Sequence, residues 1–259
     1  MPDSAILNVT DLHYGKRSGK FNPANLELRM GRLADRAGKK LSGIDALTIA
    51  VLGDVNDGSG IFPTQIHHQA ITNPAEQAEL ASDMLTEFVT RLKKKIKRVR
   101  VFCVPGNHGR VGKFAHEAAN WDLITYAFLK TKLAPLGVEV KYPSGDNIWI
   151  AKFSIYKHSY LMYHGHGIRM YQSIPWYGIS QRMLRWNATS LAPFAAMLSG
   201  HFHVCGDMSF NRLRSFLSGT PVLRDQWALT ELGLESESEW WLLGVDEKRP
   251  VTWQERLVV

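Results

Sequence analysis

The sequence predicts an α/β fold in which a parallel sheet, built first, packs against a second, mixed sheet. Three observations carry this expectation. Apolar runs at residues 5–9, 46–52 and 99–104 have strand length, and segments of helical period separate them, which is the βαβ rhythm of a parallel sheet. The rest of the chain is rich in short apolar runs and holds one helical stretch. No Gly/Ser/Pro linker, internal repeat or low-complexity tract divides the 259 residues, so they read as a single domain, 1–259.

Residues 5–9 form the first strand, which runs into Thr10-Asp11-Leu12-His13. Asn22-Pro23 pairs a capping side chain with proline at the first helical position and opens a basic helix to about residue 40. The second strand, 46–52, ends at Gly53-Asp54. After an excursion over 58–72 that contains Gly and Pro, Asn73-Pro74-Ala75-Glu76 repeats the cap logic. Ala78, Ala81, Leu85, Phe88 and Leu92 then recur at helical spacing, with Met84 and Val89 widening the stripe. The third strand, 99–104, ends at Pro105-Gly106-Asn107-His108, and a helix over about 115–133 follows. Further strands are expected at 138–142, 148–153, 160–163, 197–199, 240–245 and 251–253, with a helix at about 179–187 among them.

Composition narrows the function classes. At 45% hydrophobic and 21% charged residues the chain is globular, because a disordered one would carry fewer apolar and more like-charged residues. No apolar run approaches the roughly 20 residues a membrane span needs, so no membrane partner is expected. Met-Pro-Asp-Ser lacks the basic and apolar stretches of a secretory signal, and two cysteines are too few for a disulfide framework; a cytoplasmic location is expected. With 31 basic and 24 acidic residues the net charge is +7, which suits a polyanionic partner as well as it suits a lysine-rich surface.

The chemistry collects where strands end. Asp11-Leu12-His13, Gly53-Asp54, Gly106-Asn107-His108 and Tyr163-His164-Gly165-His166 each follow an apolar run, and Gly200-His201-Phe202-His203 follows the run 195–199. Carboxyl ends of parallel strands open on one crevice, where ligands bind. Carboxylate, amide and imidazole groups gathered there suit hard or borderline divalent ions such as Mn, Fe, Zn, Co or Ni, and the adjacent glycines let the backbone turn sharply. Taken singly, each cluster reads as a turn, a loop or a satisfied histidine. The ordered series, one member per strand end, is what points to a metal site.

Asp11-x-His13, Gly53-Asp54-x-x-Asp57, Gly106-Asn107-His108, His164-Gly165 and Gly200-His201-x-His203 resemble the five ordered motifs of the calcineurin-like metallophosphoesterases, across about residues 5–205. The resemblance implies a four-layer α/β/β/α sandwich of two mixed sheets and a site for two divalent ions, Mn foremost. It implies that Asp11, His13 and His203 hold one ion, that Asn107, His164 and His201 hold the other, and that Asp54 bridges them. His166 is the alternative to His164. By the same resemblance His108 is the catalytic histidine on the leaving-group side of the phosphate and Asp57 the carboxylate that orients it. At Gly109, where many members carry an acid, the sequence departs from the pattern, which leaves Asp57 to support His108. The implied reaction is hydrolysis of a P–O bond by water activated as hydroxide between two ions.

The substrate is read from charge. The run Arg91-Leu-Lys-Lys-Lys-Ile-Lys-Arg-Val-Arg100 precedes the third strand, so it lies about 20 Å from that strand's far end and reads as a solvated helix end. Lys16, Arg17 and Lys20, Arg110 and Lys113, and Arg169 follow the metal motifs and are better placed to bind phosphates. Tyr14, Tyr171 and Trp176-Tyr177 are placed either to stack on bases or to pack. Ile61, Phe62, His67 and His68 lie on the excursion that would wall the cleft. Gly-Asn-His-Gly-Arg in a compact basic chain is similar to the exonuclease-like branch of the family, with its phage and DNA-repair members. The expectation is therefore a DNA nuclease, in the host cytoplasm if phage-encoded. A small-molecule phosphodiesterase, for instance of a cyclic nucleotide, or a broad-specificity phosphatase is the alternative, and a non-catalytic scaffold is a third class.

Overall fold

The computed structural model describes residues 3–63, 65–145, 147–171, 175–222 and 237–259. In it the apolar runs of the first half pair as parallel strands: β1 (Ser4–Val9) beside β2 (Ala46–Val51), β2 beside β3 (Arg98–Cys103), and the short β4 (Glu139–Lys141) beyond β3. Ser4 lies opposite Ala46, and Ala46 opposite Arg98, so these three strands start and end together. On the other side of β1, β10 (Glu239–Val245) and β11 (Trp253–Val258) add antiparallel to give the order β11-β10-β1-β2-β3-β4. The second sheet has the order β5-β6-β7-β9-β8, built from β5 (Ile150–Ile155), β6 (His158–Tyr163), β7 (Ala196–Ser199), β8 (Gly206–Phe210) and β9 (Leu213–Leu217). In it β6, β7 and β9 run parallel.

Strand alternation decides the layers, because successive side chains face opposite ways. Ala5, Leu7 and Val9 join Leu47, Ile49, Val51, Val101 and Cys103 on one face. That face is covered by α1 (Pro23–Lys40), α2 (Pro74–Lys93) and α3 (Trp121–Leu133). Residues of the opposite parity, Ile6, Ala50, Phe102 and Leu243, meet Phe153, Tyr160, Met162, Leu198 and Phe216 of the second sheet in a core between the sheets. The outer face of the second sheet, with Leu161, Met197 and Leu217, packs on Ile179 and Met183 of α4 (Trp176–Asn187). Four layers result, α/β/β/α, as the motifs implied.

Asn22 and Asn73 cap α1 and α2 by accepting from the amides of Asn25 and Ala75. Several boundaries differ from expectation. α3 begins at Trp121 rather than 115, because the Asn120 side chain accepts from the Asp122 amide and the amide of Val111 donates to Ala119, tying 111–119 into a loop. The hairpin β8–β9 was not legible in the sequence. Its reversal includes Asn211 in the left-handed region, and β8 is too exposed along its length to read as an apolar run. β11 extends to Val258, and as an edge strand with charged, exposed side chains it hides its length in the same way. No helix among the described residues is long and apolar enough to cross a membrane.

Candidate metal centre

The carboxyl ends of β1, β2 and β3 and those of β6 and β7 meet at one edge of the sandwich, joined by two side-chain to backbone bonds. His164 Nδ1 lies 2.7 Å from the Leu52 carbonyl, and the His201 amide donates to Asp11 Oδ2 at 2.9 Å. Just past these ends the backbone leaves the ordinary regions. Asp11, His13, Asp54, His201 and His203 all have φ between 46° and 71°. They are five of the seven non-glycine residues in the left-handed region among those described. Such backbone is strained for a side chain bearing Cβ and persists only where neighbours hold it. Here the neighbours are specific: Thr10 Oγ1 donates to Asp11 Oδ2 at 2.7 Å, Thr220 Oγ1 donates to the Asp11 carbonyl at 2.7 Å, and the His13 amide donates to the Asp54 carbonyl at 2.9 Å. Gly106 is required because Asp54 lies where any Cβ at 106 would be.

The side chains form contiguous groups. Asp11, His13 and His203 come together, with His203 Nε2 3.3 Å from Asp11 Oδ1 and 3.2 Å from His13 Nε2. Asp54, His164 and His201 form a second group, with His164 Nε2 3.0 Å from Asp54 Oδ2 and the rings of His164 and His201 5.1 Å apart. A third joins His13, Asp57 and His108. Asp54 ties the second group to the third by accepting from the His108 amide at 2.8 Å. Asp57 Oδ1 faces His13 Nδ1 at 3.4 Å and His108 Nδ1 at 3.7 Å, so this carboxylate is shared between two imidazoles. His166 belongs to none of these groups, although its ring lies 5.8 Å from that of His164; it packs against Trp149 and Tyr163, with ring centroids 4.4 and 5.2 Å away.

Donor chemistry tests the fit to metal. Buried polar groups are nearly always hydrogen-bonded, yet Asp11 Oδ1, Asn107 Oδ1 and His164 Nε2 are buried without a hydrogen bond. Carboxylate and amide oxygens and imidazole nitrogens buried in this way are the donor types that suit a divalent cation. The electrostatics agree. Burial would raise Asp54, but the charges of His164, His108 and His13 hold it well below the usual carboxylate range. Burial would likewise raise Asp11, and the His203 imidazole 3.3 Å away with the charge of His164 brings it down to about 2. Burial would lower His164, and Asp54 lifts it to about 9. Both carboxylates are therefore held ionised, the form in which a carboxylate binds a cation.

A family model for calcineurin-like phosphoesterases matches residues 4–205, which spans all five of these strand-end clusters. The chain belongs to that family. It is therefore related to phosphoester hydrolases, and its family implies divalent metal ions. Over 106 residues, 41% of this chain, it is 26% identical to the DNA polymerase II small subunit of Thermoplasma acidophilum, and it matches 19% of that protein's length. In fold it is similar to an archaeal phosphodiesterase (12% identity, 98% of this chain and 99% of that one, TM-score 0.46). It is also similar to vacuolar protein sorting 29 from Cryptosporidium parvum (14% identity, 100% of both chains, TM-score 0.46).

Within this calcineurin-like phosphoesterase the motifs rest on residues that the sequence reading did not single out. Asp122, fully buried at the start of α3, accepts from the Gly106 amide at 2.8 Å and from the amide and side chain of Asn56 at 3.0 and 2.9 Å. Burial, and then the charge of Asp54, push its carboxyl up to about 6. A Cβ at Gly109 would strike the Asn120 amide oxygen and press on Asp122, so position 109 is closed to a side chain by Asn120 with Asp122 beside it. Gln69 donates to Asp57 Oδ2 at 2.8 Å. An N-cap asparagine followed two residues later by an acid was the available signal for Asn120 and Asp122.

The cations divide. Lys16, half-buried, acts electrostatically on His13, Asp57 and His108, and Arg110 donates from Nε to the Asn107 carbonyl at 2.9 Å and acts on His166. Arg17 and Arg169 are exposed, as are His67 and His68. Tyr14 is buried in the core and its hydroxyl donates to Glu27 at 2.7 Å, and Trp176, the first residue of α4, is partly buried against the cluster between α4 and the second sheet, so both pack rather than offer a stacking surface. Tyr171 and Tyr177 stay exposed. The basic run 91–100 lies at the amino end of β3, across the sheet from His108, with Arg91 on Glu87 and Lys95 on Asp35.

Proposed function

We propose that this chain, read as a single domain over 1–259, is a phosphodiesterase that works with two divalent ions and acts on DNA. The observation that carries the reading is the two largely buried groups of metal-capable side chains, Asp11-His13-His203 and Asp54-His164-His201, in which Asp11 Oδ1 and His164 Nε2 lack a hydrogen bond. Asp11, His13 and His203 would hold one ion, and Asn107, His164 and His201 the other, with Asp54 between them. His164 rather than His166 is the ligand in this reading, because it is His164 that meets Asp54. Ions so held, manganese foremost, supply Lewis-acid neutralisation of the phosphoryl oxygens and an attacking water of lowered pKa.

His108 does the remaining acid–base work. Its Nδ1 lies 3.2 Å from the Asp57 carbonyl and 3.4 Å from the Gln65 amide, so Nε2 is the corner left for the leaving oxygen. When the ring carries its second proton, Nδ1–H is donated to that carbonyl and Nε2–H to the leaving group. Asp57 orients the pair of imidazoles around it. Lys16 and Arg110, with Arg17 and Arg169 farther out, bind flanking phosphates. Support for DNA comes from these cations, the net charge of +7 and the likeness to a DNA polymerase small subunit.

The test is a gel assay on labelled single- and double-stranded DNA with Mn, Mg, Zn and Co varied, run beside bis-p-nitrophenyl phosphate. Cleavage of DNA that falls steeply with salt is expected. Hydrolysis of the small ester with DNA left intact would replace the nuclease reading by the small-molecule one, and no tight metal with neither substrate cleaved would leave a scaffold.

A further inference from the structure

Phe62, on the loop that follows Asp57, is 38% exposed, and its ring centroid lies 4.6 Å from that of His108 with the planes tilted by 40°. The loop holds it there. Buried Gln65 accepts through Oε1 from the amides of Ile61 at 3.0 Å and Phe62 at 3.3 Å, while its Nε2 donates to the Asp57 carbonyl and lies 3.4 Å from His108 Nδ1. One side-chain amide therefore fixes both the imidazole and the loop that presents the aromatic ring. Lys16 and Arg110 offer charge to a phosphate at this site. Phe62 offers a partly exposed apolar ring instead, and in a nucleic acid the flat group that matches such a ring is the base, carried on the sugar that adjoins the phosphate.

We propose that Phe62 is a base-stacking platform beside His108, on which the nucleobase on the leaving-group side of the scissile phosphate lies, so that the site selects base-bearing phosphodiesters over base-free ones. This rests on the phosphodiesterase reading above. It requires a base free to leave its partner, which favours single strands, whose bases stack readily on aromatic side chains.

The test compares fluorescein-labelled oligothymidylate with an abasic oligomer of equal length and charge. Binding is read by anisotropy with calcium as the divalent ion, and hydrolysis is read separately with manganese. Phe62→Ala should weaken oligothymidylate binding by about tenfold, base stacking on one ring being of that order, and should change abasic binding by less than about twofold, while Phe62→Tyr keeps the preference. Equal losses on both oligomers, no loss on either, or a wild-type chain that binds the two alike would overturn the proposal. A wild-type chain that shows the Phe62-dependent preference yet hydrolyses no phosphodiester sinks the hydrolase reading and leaves the stacking site standing.

Discussion

His108 and Asp54 sit 2.8 Å apart, main chain to side chain, yet removing their side chains should fail in different ways. Asp54 lies among His164, His108 and His13, and its carboxylate is the negative charge those imidazoles surround. Asp54→Ala should therefore lose bound metal, read as metal per chain after dialysis against manganese. In the proposed mechanism His108 would contribute its ring to acid–base work, and it meets Asp54 through its amide. His108→Ala should keep the metal content of the wild type and lose turnover by about 10²- to 10⁴-fold. A His108→Ala enzyme of unaltered rate would remove that residue from the mechanism.

At the scale of elements, α3 is the brace of the site. Its first turn carries Asp122, which accepts from both the Asn56 loop after β2 and the Gly106 loop after β3. Asp122→Ala leaves the buried amides of Asn56 and Gly106 unpaired, and thermal or urea unfolding should show a loss of about 2–4 kcal/mol. The end of α2 and the start of β3 give the contrasting case. Lys94→Gln, Lys97→Gln and Arg98→Gln together remove exposed charges at the far end of the sheet. DNA affinity and its salt slope should stay near wild type, whereas Arg110→Gln should flatten the slope by about one unit. A triple variant with a flattened slope would relocate the DNA path to that rim.

For the whole molecule, two sheets hold the site because each contributes candidate ligands from strand ends that converge at one edge. A cation held by the proposed ligands would connect loops of both sheets, and so would stabilise the folded chain as far as it binds the unfolded one more weakly. Manganese at a hundred times its dissociation constant should add about 2.7 kcal/mol of stability per site. For a chain of this size that is a rise in Tm of roughly 5–10 °C, reversed by chelator. No rise in scanning calorimetry would argue against any ion at this edge.

The sequence by itself determined the βαβαβ opening, the caps at Asn22 and Asn73 and the five strand-end clusters, because each is local. Strand length, cap chemistry and the residues following an apolar run are all written within a few positions. It did not determine the β8–β9 hairpin or the length of β11, where exposed side chains blur the apolar pattern. Only the tertiary structure decided that His164 rather than His166 meets Asp54, that Asp57 is shared between His13 and His108, and that Phe62 lies against the His108 ring. It also decided that Asn120 and Asp122 fill the space beside Gly109 and that Tyr14 lies in the core. The physical reason is one of range. Those outcomes depend on which side chains two separately folded sheets press together, and the approach of His164 to Asp54 spans 110 positions that no local pattern connects.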